Sequence, residues 1–442
     1  MKVSSVAQPK LHSVYARSVK AIVAWLTPGR LKVYPTAIAA LTFAAWGVSQ
    51  ALGPGLTDVS KTIIGADFAA FYTGGRFFLS GRLDELYDLS AQKDFQASLV
   101  APVIPRGFTA FINPPFTVVL YAPFAWSSYG LGLLLWWGAG LLALTLSLYL
   151  LHRELRPSSQ RSILRLLGLS FLFYPTLAWF LYGQNTAFTL LLYTLTFVML
   201  RRGRDFTAGL TLGLLLYKPQ LAIALSVVLL IKRRWRALLG GALSAGLWLG
   251  IGFTLSPAAM WEFVRLAPVL PEFGRAWIIH NWGLNSFFGF SSLLLDGFWR
   301  AGANLLTTGL TIAGLITIVA WWWRASWQPD THNWDFRMAA TLAVGLLISP
   351  HLFLYDLMLL LLPLGIVWGY YWQGAGDRPL DGGALLAWTA ILYVVTFVGN
   401  YLTAAQQQLS VILGFPKMAV QLGTLVIAGW AWLIARLAQQ RR

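Results

Sequence analysis

Apolar runs of membrane-spanning length, separated by short basic blocks, constrain this chain more than any other feature of its 442 residues. A helix needs about 17–25 predominantly apolar residues to cross a bilayer. Runs that meet or approach this length cover 35–52, 130–151, 163–181, 184–200, 206–217, 220–231, 237–255, 302–323, 338–350, 355–372, 383–400 and 418–436. Basic residues cluster between them, at Arg153, Arg156, Arg161 and Arg165, at Arg201, Arg202 and Arg204, at Lys232, Arg233, Arg234 and Arg236, and from Lys2 to Lys32. Loops rich in Lys and Arg stay on the cytoplasmic side. That rule orients the chain with both termini inside and the whole net charge of +17 on the cytoplasmic face. The expected fold is an all-α polytopic membrane protein of about twelve transmembrane helices. It is read as one domain over 35–436, between cytoplasmic tails at 1–34 and 437–442.

Composition removes other classes. Hydrophobic residues make up 57% of the chain and charged residues only 11%, against about 25% charged in a soluble domain. The 22 tryptophans suit the two membrane interfaces. The absence of cysteine excludes disulfides, thiolate metal sites and cysteine nucleophiles. Five scattered histidines without HxxxH or HExxH spacing argue against a zinc site, and no metal or cofactor is expected. The positive charge falls in loops rather than along one soluble face, which argues against nucleic-acid binding. Residues 1–34 are too long and polar for a signal-peptide n-region, so 35–52 is read as an uncleaved anchor.

Two segments leave the membrane on the outside, 53–113 and 256–300. The first is expected to carry surface helices at 67–80 and 91–100. It is followed by INPPFTVVLYAPFAW (112–126), apolar but short and interrupted by Pro114, Pro115 and Pro123. This piece is read as re-entrant or interfacial; a reading in which it spans is the competitor. The runs 206–217 and 220–231 are about a dozen residues each and form a hairpin whose tip, Tyr217-Lys218-Pro219-Gln220, is recessed in the outer half of the membrane. The run 338–350 is also short and ends in Ser349-Pro350-His351. Broken helices at membrane depth are tolerated where they line a cavity, and two breaks opening to one side indicate a shared one.

Ionisable groups at such breaks are the candidates for chemistry, because each costs about 2.5–3.5 kcal/mol to insert. Lys218 is either a lysine snorkelling to the interface or a clamp for a phosphate. His351 and Asp356 frame the other break, with Asp356 placed to orient the histidine or to pair with Lys218, or both serve an inter-helix polar network. Asp67, at the head of the first surface helix, is either an N-cap or a general base at the membrane surface. Asp84, Glu85 and Asp88 lie in a solvated turn and are weaker candidates. Arg76, Arg265, Arg275, His280 and Asn281 are outside-facing groups able to meet phosphate or sugar. Asn113, Gln184 and Asn185, with Asn285 and Ser286, offer amides and a hydroxyl to sugar hydroxyls.

Six blocks in order carry a resemblance: GADFAAFYTGGRFFLSG with LYD, NPPF at 113–116, GQNTAFTLLL at 183–192, GLLLYKPQLA at 213–222, NWGLNSFFG at 281–289 and SPHLFLYDLMLLLLP at 349–363. Over roughly 60–360 the chain resembles glycosyltransferase family 87 of the GT-C superfamily. The resemblance implies a GT-C fold with an active site at the outer membrane face. It further implies a polyprenyl-phosphate sugar donor, a hexose such as mannose, and inverting transfer without a required metal. Partners would be a glycolipid or envelope-glycan acceptor and membrane lipids, in a bacterial inner membrane. The family's catalytic aspartate falls on Asp67, its KPQ lysine on Lys218 and its SPH histidine on His351, the latter two near donor phosphate with Arg275. Its outer-loop asparagine–serine pair falls on Asn285-Ser286, although members often read NQS where this chain has Leu284-Asn285-Ser286. Arg76, Asn113, Gln184, Asn185, Asn285, Ser286 and Asp356 complete the expected substrate contacts. A transporter or lipid flippase, for which broken helices are also typical, is the alternative; a non-catalytic envelope scaffold comes third.

Overall fold

The structure is a computed structural model that describes residues 8–155, 162–269, 281–371 and 382–440. Arg156, Arg161 and His280 lie outside the described residues. Every regular element among those described is helical, and an isolated bridge joins Thr57 to Ile63. In chain order the α-helices are α1 (Gln8–Trp25), α2 (Pro28–Leu52), α3 (Ala66–Leu79), α4 (Leu89–Leu99), α5 (Val118–Ala125), α6 (Tyr129–Leu155), α7 (Ile163–Phe171), α8 (Tyr174–Tyr182), α9 (Thr186–Arg201) and α10 (Asp205–Gly213). They continue with α11 (Pro219–Ile231), α12 (Trp235–Leu255), α13 (Pro257–Leu266), α14 (Phe287–Leu295), α15 (Arg300–Trp323), α16 (His332–Ile348), α17 (Leu361–Tyr371), α18 (Gly382–Ile412) and α19 (Leu422–Gln440).

Six of these, α2, α6, α12, α15, α18 and α19, are long and apolar enough to cross a membrane. A seventh results if α7 and α8 count as one span, but they meet at 85°. The break falls where Phe173 turns extended and Pro175, early in α8, lacks the N–H that would continue the α7 ladder. The expected count of about twelve spans is therefore not reproduced. The other runs form short helices: 16 residues in α9, 13 in α11 and 17 in α16. At about 1.5 Å per residue even α16 reaches only about 26 Å, less than a hydrocarbon core of about 30 Å. Protein encloses most of α9 and α16, whereas α11 still turns Ile223 and Leu230 outward. Met338 to Ile348 are buried without interruption in α16, whereas α2, α12 and α15 turn exposed Leu41, Leu247 and Ile316 outward. Apolar periodicity signals helix in both cases and does not separate a core helix from a lipid-facing one.

The breaks have local causes. Lys218 precedes Pro219, which disfavours helical backbone at residue 218. It sits at φ −135°, ψ 67°, ending the 3-10 turn Leu214–Tyr217 and opening α11. Ser349 precedes Pro350 and turns extended at the end of α16, φ −64° and ψ 124°. At the N-terminus, α2 begins at Pro28 rather than at residue 35 and carries Pro35 inside it, and helix α1 occupies much of the expected tail.

The segment after α2 folds over an aromatic core of its own. Phe68, Phe71, Tyr72, Phe77, Phe111, Tyr121 and Trp136 are all buried there. Gln92 and Gln96 on α4 bind the extended chain at Thr109 and Phe111: Phe111 N donates to Gln92 Oε1 at 2.6 Å, and Thr109 N to Gln96 Oε1 at 3.1 Å. The solvated carboxylates have structural work. Asp88 caps α4 and Glu85 pairs with Arg82.

At the far ends of α9 and α16 a charged cluster ties several helices together. Arg201 Nε lies 3.2 Å from Asp335 Oδ2 and its Nη1 3.0 Å from Glu154 Oε1, while Tyr370 donates to Asp335. Glu154 ends α6, Asp335 begins α16 and Tyr370 ends α17, so one guanidinium joins four helix ends.

Candidate active site

Asp67 lies in the first turn of α3 and does not cap it, since that position belongs to Gly65. Gly65 has φ 66° and Gly183 φ 69°, left-handed conformations that suit glycine. A Cβ on Gly183 would stand 2.9 Å from Phe68 Cβ and 3.4 Å from Gly65 Cα. Two bare backbones therefore meet, and the turn after α8 is pressed against the start of α3. Trp136 Nε1 donates to Gly183 O at 2.8 Å, Trp179 Nε1 to Gln184 O at 2.7 Å, and Tyr129 Oη to Ile64 O at 2.6 Å. Gln184 Oε1 accepts from Asn185 N at 3.1 Å, leaving its NH2 group facing Asp67 and Tyr355.

The two chain breaks supply the opposite wall. Lys218 Nζ is 3.0 Å from Asp356 Oδ1, both largely buried, with 15% and 5% of their side chains exposed. Thr186 Oγ1 donates to the same Asp356 oxygen at 3.2 Å, and Phe353 N approaches Oδ2 at 3.4 Å. An ammonium has three N–H donors, so one bond to Asp356 leaves two. Lys218 also sits at the N-terminal end of α11, where the helix adds partial positive charge.

These walls enclose one cavity of about 570 Å3, lined by Asp67, Asn113, Gln184, Asn185, Lys218, His351 and Asp356 together with Tyr217 and Tyr355. Its remaining lining is mostly apolar and includes Leu89, Phe108, Ile112 and Phe263. Burial pushes the Asp67 carboxyl up to about 6; the Gln184 amide pulls it back, the Asp356 charge adds to the rise and the Lys218 charge opposes it. Asp67 Oδ2 is itself inaccessible and without a hydrogen-bond partner. Burial lowers the His351 pKa, against a raising pull from Asp356 and alongside Lys218. The cavity thus holds a carboxylate that can take a proton near neutral pH, and it holds donors for an anion. Hydroxyl-recognising amides lie in the same wall.

Three expected residues are not brought to this cavity. Arg76 Nη1 donates to Ala125 O at 3.3 Å, a cation at the end of α5. Ser286 caps α14 through Gly289 N and donates to Pro350 O at 3.2 Å. Asn285 N donates to Leu352 O at 2.8 Å, and its side chain meets Gly283 and Asn400. Both are buried behind the loop that carries His351 and hold that loop rather than line the cavity, because the same amide and hydroxyl serve equally as caps. Arg275 lies outside the described residues. Tyr217 and Tyr355 line the cavity, and Tyr121 and Thr186 hydrogen-bond residues that line it; none of the four was among the expected site residues. Tyr217 and Tyr355 stand directly before Lys218 and Asp356, and that adjacency was the available signal.

A family model described as glycosyltransferase family 87 matches residues 111–350, more than half of the chain. The match includes Gln184, Asn185 and Lys218, while Asp67, His351 and Asp356 lie outside it. Neither the curated proteins nor the solved structures gave a match. An all-helical membrane architecture, a cavity uniting carboxylate, cation and amides, and a family match across the middle of the chain lead to one assignment: this is a membrane glycosyltransferase belonging to glycosyltransferase family 87.

Proposed function

We propose that the protein transfers a hexose, mannose in the leading case, from a polyprenyl-phosphate donor to a glycolipid or envelope-glycan acceptor, with inversion at the anomeric carbon. The observation that carries this reading is that Asp67 and the Lys218–Asp356 pair line the same cavity. Asp67 takes the proton of the acceptor hydroxyl as that oxygen attacks the anomeric carbon. The bond from that carbon to the phosphate oxygen breaks on the opposite face. Its electron pair leaves with polyprenyl phosphate, whose charge Lys218 and the His351 N–H stabilise. General-base help of this kind contributes about 10²–10⁴-fold, and cations aimed at the departing phosphate supply the larger electrostatic share.

In this reading the cavity opens to the outer face of a bacterial inner membrane, 53–113 and 256–300 lie outside, and both termini lie in the cytoplasm. The polyprenyl chain stays in lipid while its phosphate reaches the recessed lysine. Arg275 belongs with the donor-phosphate groups on sequence grounds alone. The test is transfer of labelled hexose from polyprenyl-phosphate mannose, glucose or galactose to extracted glycolipids by the purified protein in lipid vesicles. Product with the wild type and none with Asp67→Asn is expected. A wild type that transfers no hexose from any of the three donors overturns the reading.

A further inference from the structure

A second group of polar atoms stands at the edge of the cavity and has no part in the transfer step above. The Tyr121 ring on α5 stacks on Phe71, with centroids 4.7 Å apart and planes at 12°, and meets Trp136 edge-on at 5.7 Å. Phe71 is one turn along α3 from Asp67. These contacts fix the ring, and its hydroxyl falls between two carboxamides. Asn185 Nδ2 donates to it at 3.2 Å and Asn113 Nδ2 at 3.4 Å. An amide whose NH2 is held in this way must turn its carbonyl oxygen elsewhere. Asn185 is only 3% exposed and lines the cavity, yet its Oδ1 has no hydrogen-bond partner. A buried acceptor left unpaired is costly, and a ligand that donates to it recovers that cost.

We propose that Tyr121, Asn113 and Asn185 form a subsite for one sugar hydroxyl, in which Asn185 Oδ1 accepts from that hydroxyl and Tyr121 is the positioning residue that aims it. The chemistry selects its ligand. A carbonyl oxygen needs an O–H donor and repels an anion, so this corner takes the sugar and leaves the phosphate to Lys218. It selects by the presence and direction of one hydroxyl and so discriminates among hexoses. This deepens the transferase reading and rests on it.

The test uses the full-length protein in lipid vesicles and two probe series. One is polyprenyl-phosphate mannose with its monodeoxy derivatives as donors, and the other is octyl mannoside with its monodeoxy derivatives as acceptors. Both kcat/KM and equilibrium binding of the labelled probes are measured for the wild type, Asn185→Ala and Tyr121→Phe, which keeps the stacked ring. Loss of one particular hydroxyl should cost the wild type about tenfold or more. The same loss should cost Asn185→Ala less than about twofold, with Tyr121→Phe in between. A purely structural role for Tyr121 would lower all rates without changing that ratio. The series in which the ratio collapses tells whether the hydroxyl belongs to donor or acceptor. Variants that keep wild-type discrimination against every deoxy probe overturn the subsite alone. A wild type that neither binds nor transfers any polyprenyl-phosphate hexose overturns the transferase reading and this one with it.

Discussion

Lys218 Nζ lies 3.0 Å from Asp356 Oδ1, so the break that opens α11 is joined to the 3-10 turn that follows the Pro350 loop. The two groups come from different chain breaks, and each break exists because a proline follows a polar residue. A largely buried ion pair adds little net stability, but loss of one partner leaves the other charge uncompensated. Thr186 alone cannot neutralise Asp356. Lys218→Ala should therefore raise the donor KM about 10- to 100-fold, the worth of a charged hydrogen bond. It should also lower the melting temperature. The double change Lys218→Met with Asp356→Leu removes both charges and should recover much of the stability while transfer stays lost. Melting curves in detergent, read beside donor KM, check both halves. A donor KM unchanged in Lys218→Ala would remove the phosphate clamp.

The position of Asp67 sets a pH dependence. Burial pushes its carboxyl up to about 6, from 3.8 for a solvent-exposed aspartate. The folded state thus holds this proton more tightly than the unfolded state. Its contribution favours folding at low pH and is lost as pH rises from about 3.8 to about 6. Activity runs the other way, because a base must be ionised. We expect kcat/KM to fall about tenfold per pH unit below about 6 and to level off above it. Gln184 lowers this pKa, so Gln184→Ala should move the acid limb to higher pH. Asp67→Asn should fold and lose transfer by at least about 10²-fold. An acid limb that stays in place in Gln184→Ala would separate the limb from Asp67.

Gly183 places Gln184. Any side chain there must adopt φ 69° and put its Cβ 2.9 Å from that of Phe68. A left-handed backbone at a non-glycine residue costs about 1–3 kcal/mol, and overpacking costs about as much again. Gly183→Ala should lower the melting temperature and reduce kcat more than donor KM, since it displaces the amide facing Asp67 and leaves Lys218 alone. Gly168, with open space around its Cβ position in α7, is the control at which alanine should be tolerated.

Much of the site was legible in the chain because ionisable residues beside proline breaks in an apolar sequence have few structural uses. Lys218, His351 and Asp356 were readable on that ground, and Asp67 as the carboxylate at the head of the first outside helix. The contact between Gln184 and Asp67 was not, because it depends on two glycine backbones meeting across more than a hundred residues. Tyr121 was hidden for a related reason: its ring reads as core, and only its neighbours reveal that its hydroxyl works. Asn285 and Ser286 were misplaced because a cap and a sugar contact use the same side chains. The count of about twelve spans is not confirmed, because several apolar runs form helices shorter than a straight crossing. Residues 338–350 look like a short crossing helix in sequence, yet Met338 to Ile348 form the buried heart of α16, where protein replaces lipid on every side.

The Arg201 cluster gives a prediction that is independent of the cavity. Asp335 is fully buried, and Arg201 reaches it, Glu154 and Tyr370 at once. Asp335→Ala would leave a guanidinium largely buried beside an emptied site, a change that typically costs about 3–5 kcal/mol. Arg201→Ala should cost as much, because it leaves the buried Asp335 without its cation, although Tyr370 still donates to it and Glu154 keeps Arg202. If the cluster acts as a unit, the double variant should be no worse than the sum of the singles and should fall well short of it, a non-additivity of about 0.5–3 kcal/mol. The helices it clasps run toward the cavity: α9 begins beside Asn185 and α16 ends at Ser349. Loss of the clasp should therefore reduce transfer through stability, with donor KM near the wild-type value in the fraction that remains folded. Parallel measurement of melting temperature and donor KM separates the two. A raised KM at unchanged stability would mean that the clasp tunes the cavity directly.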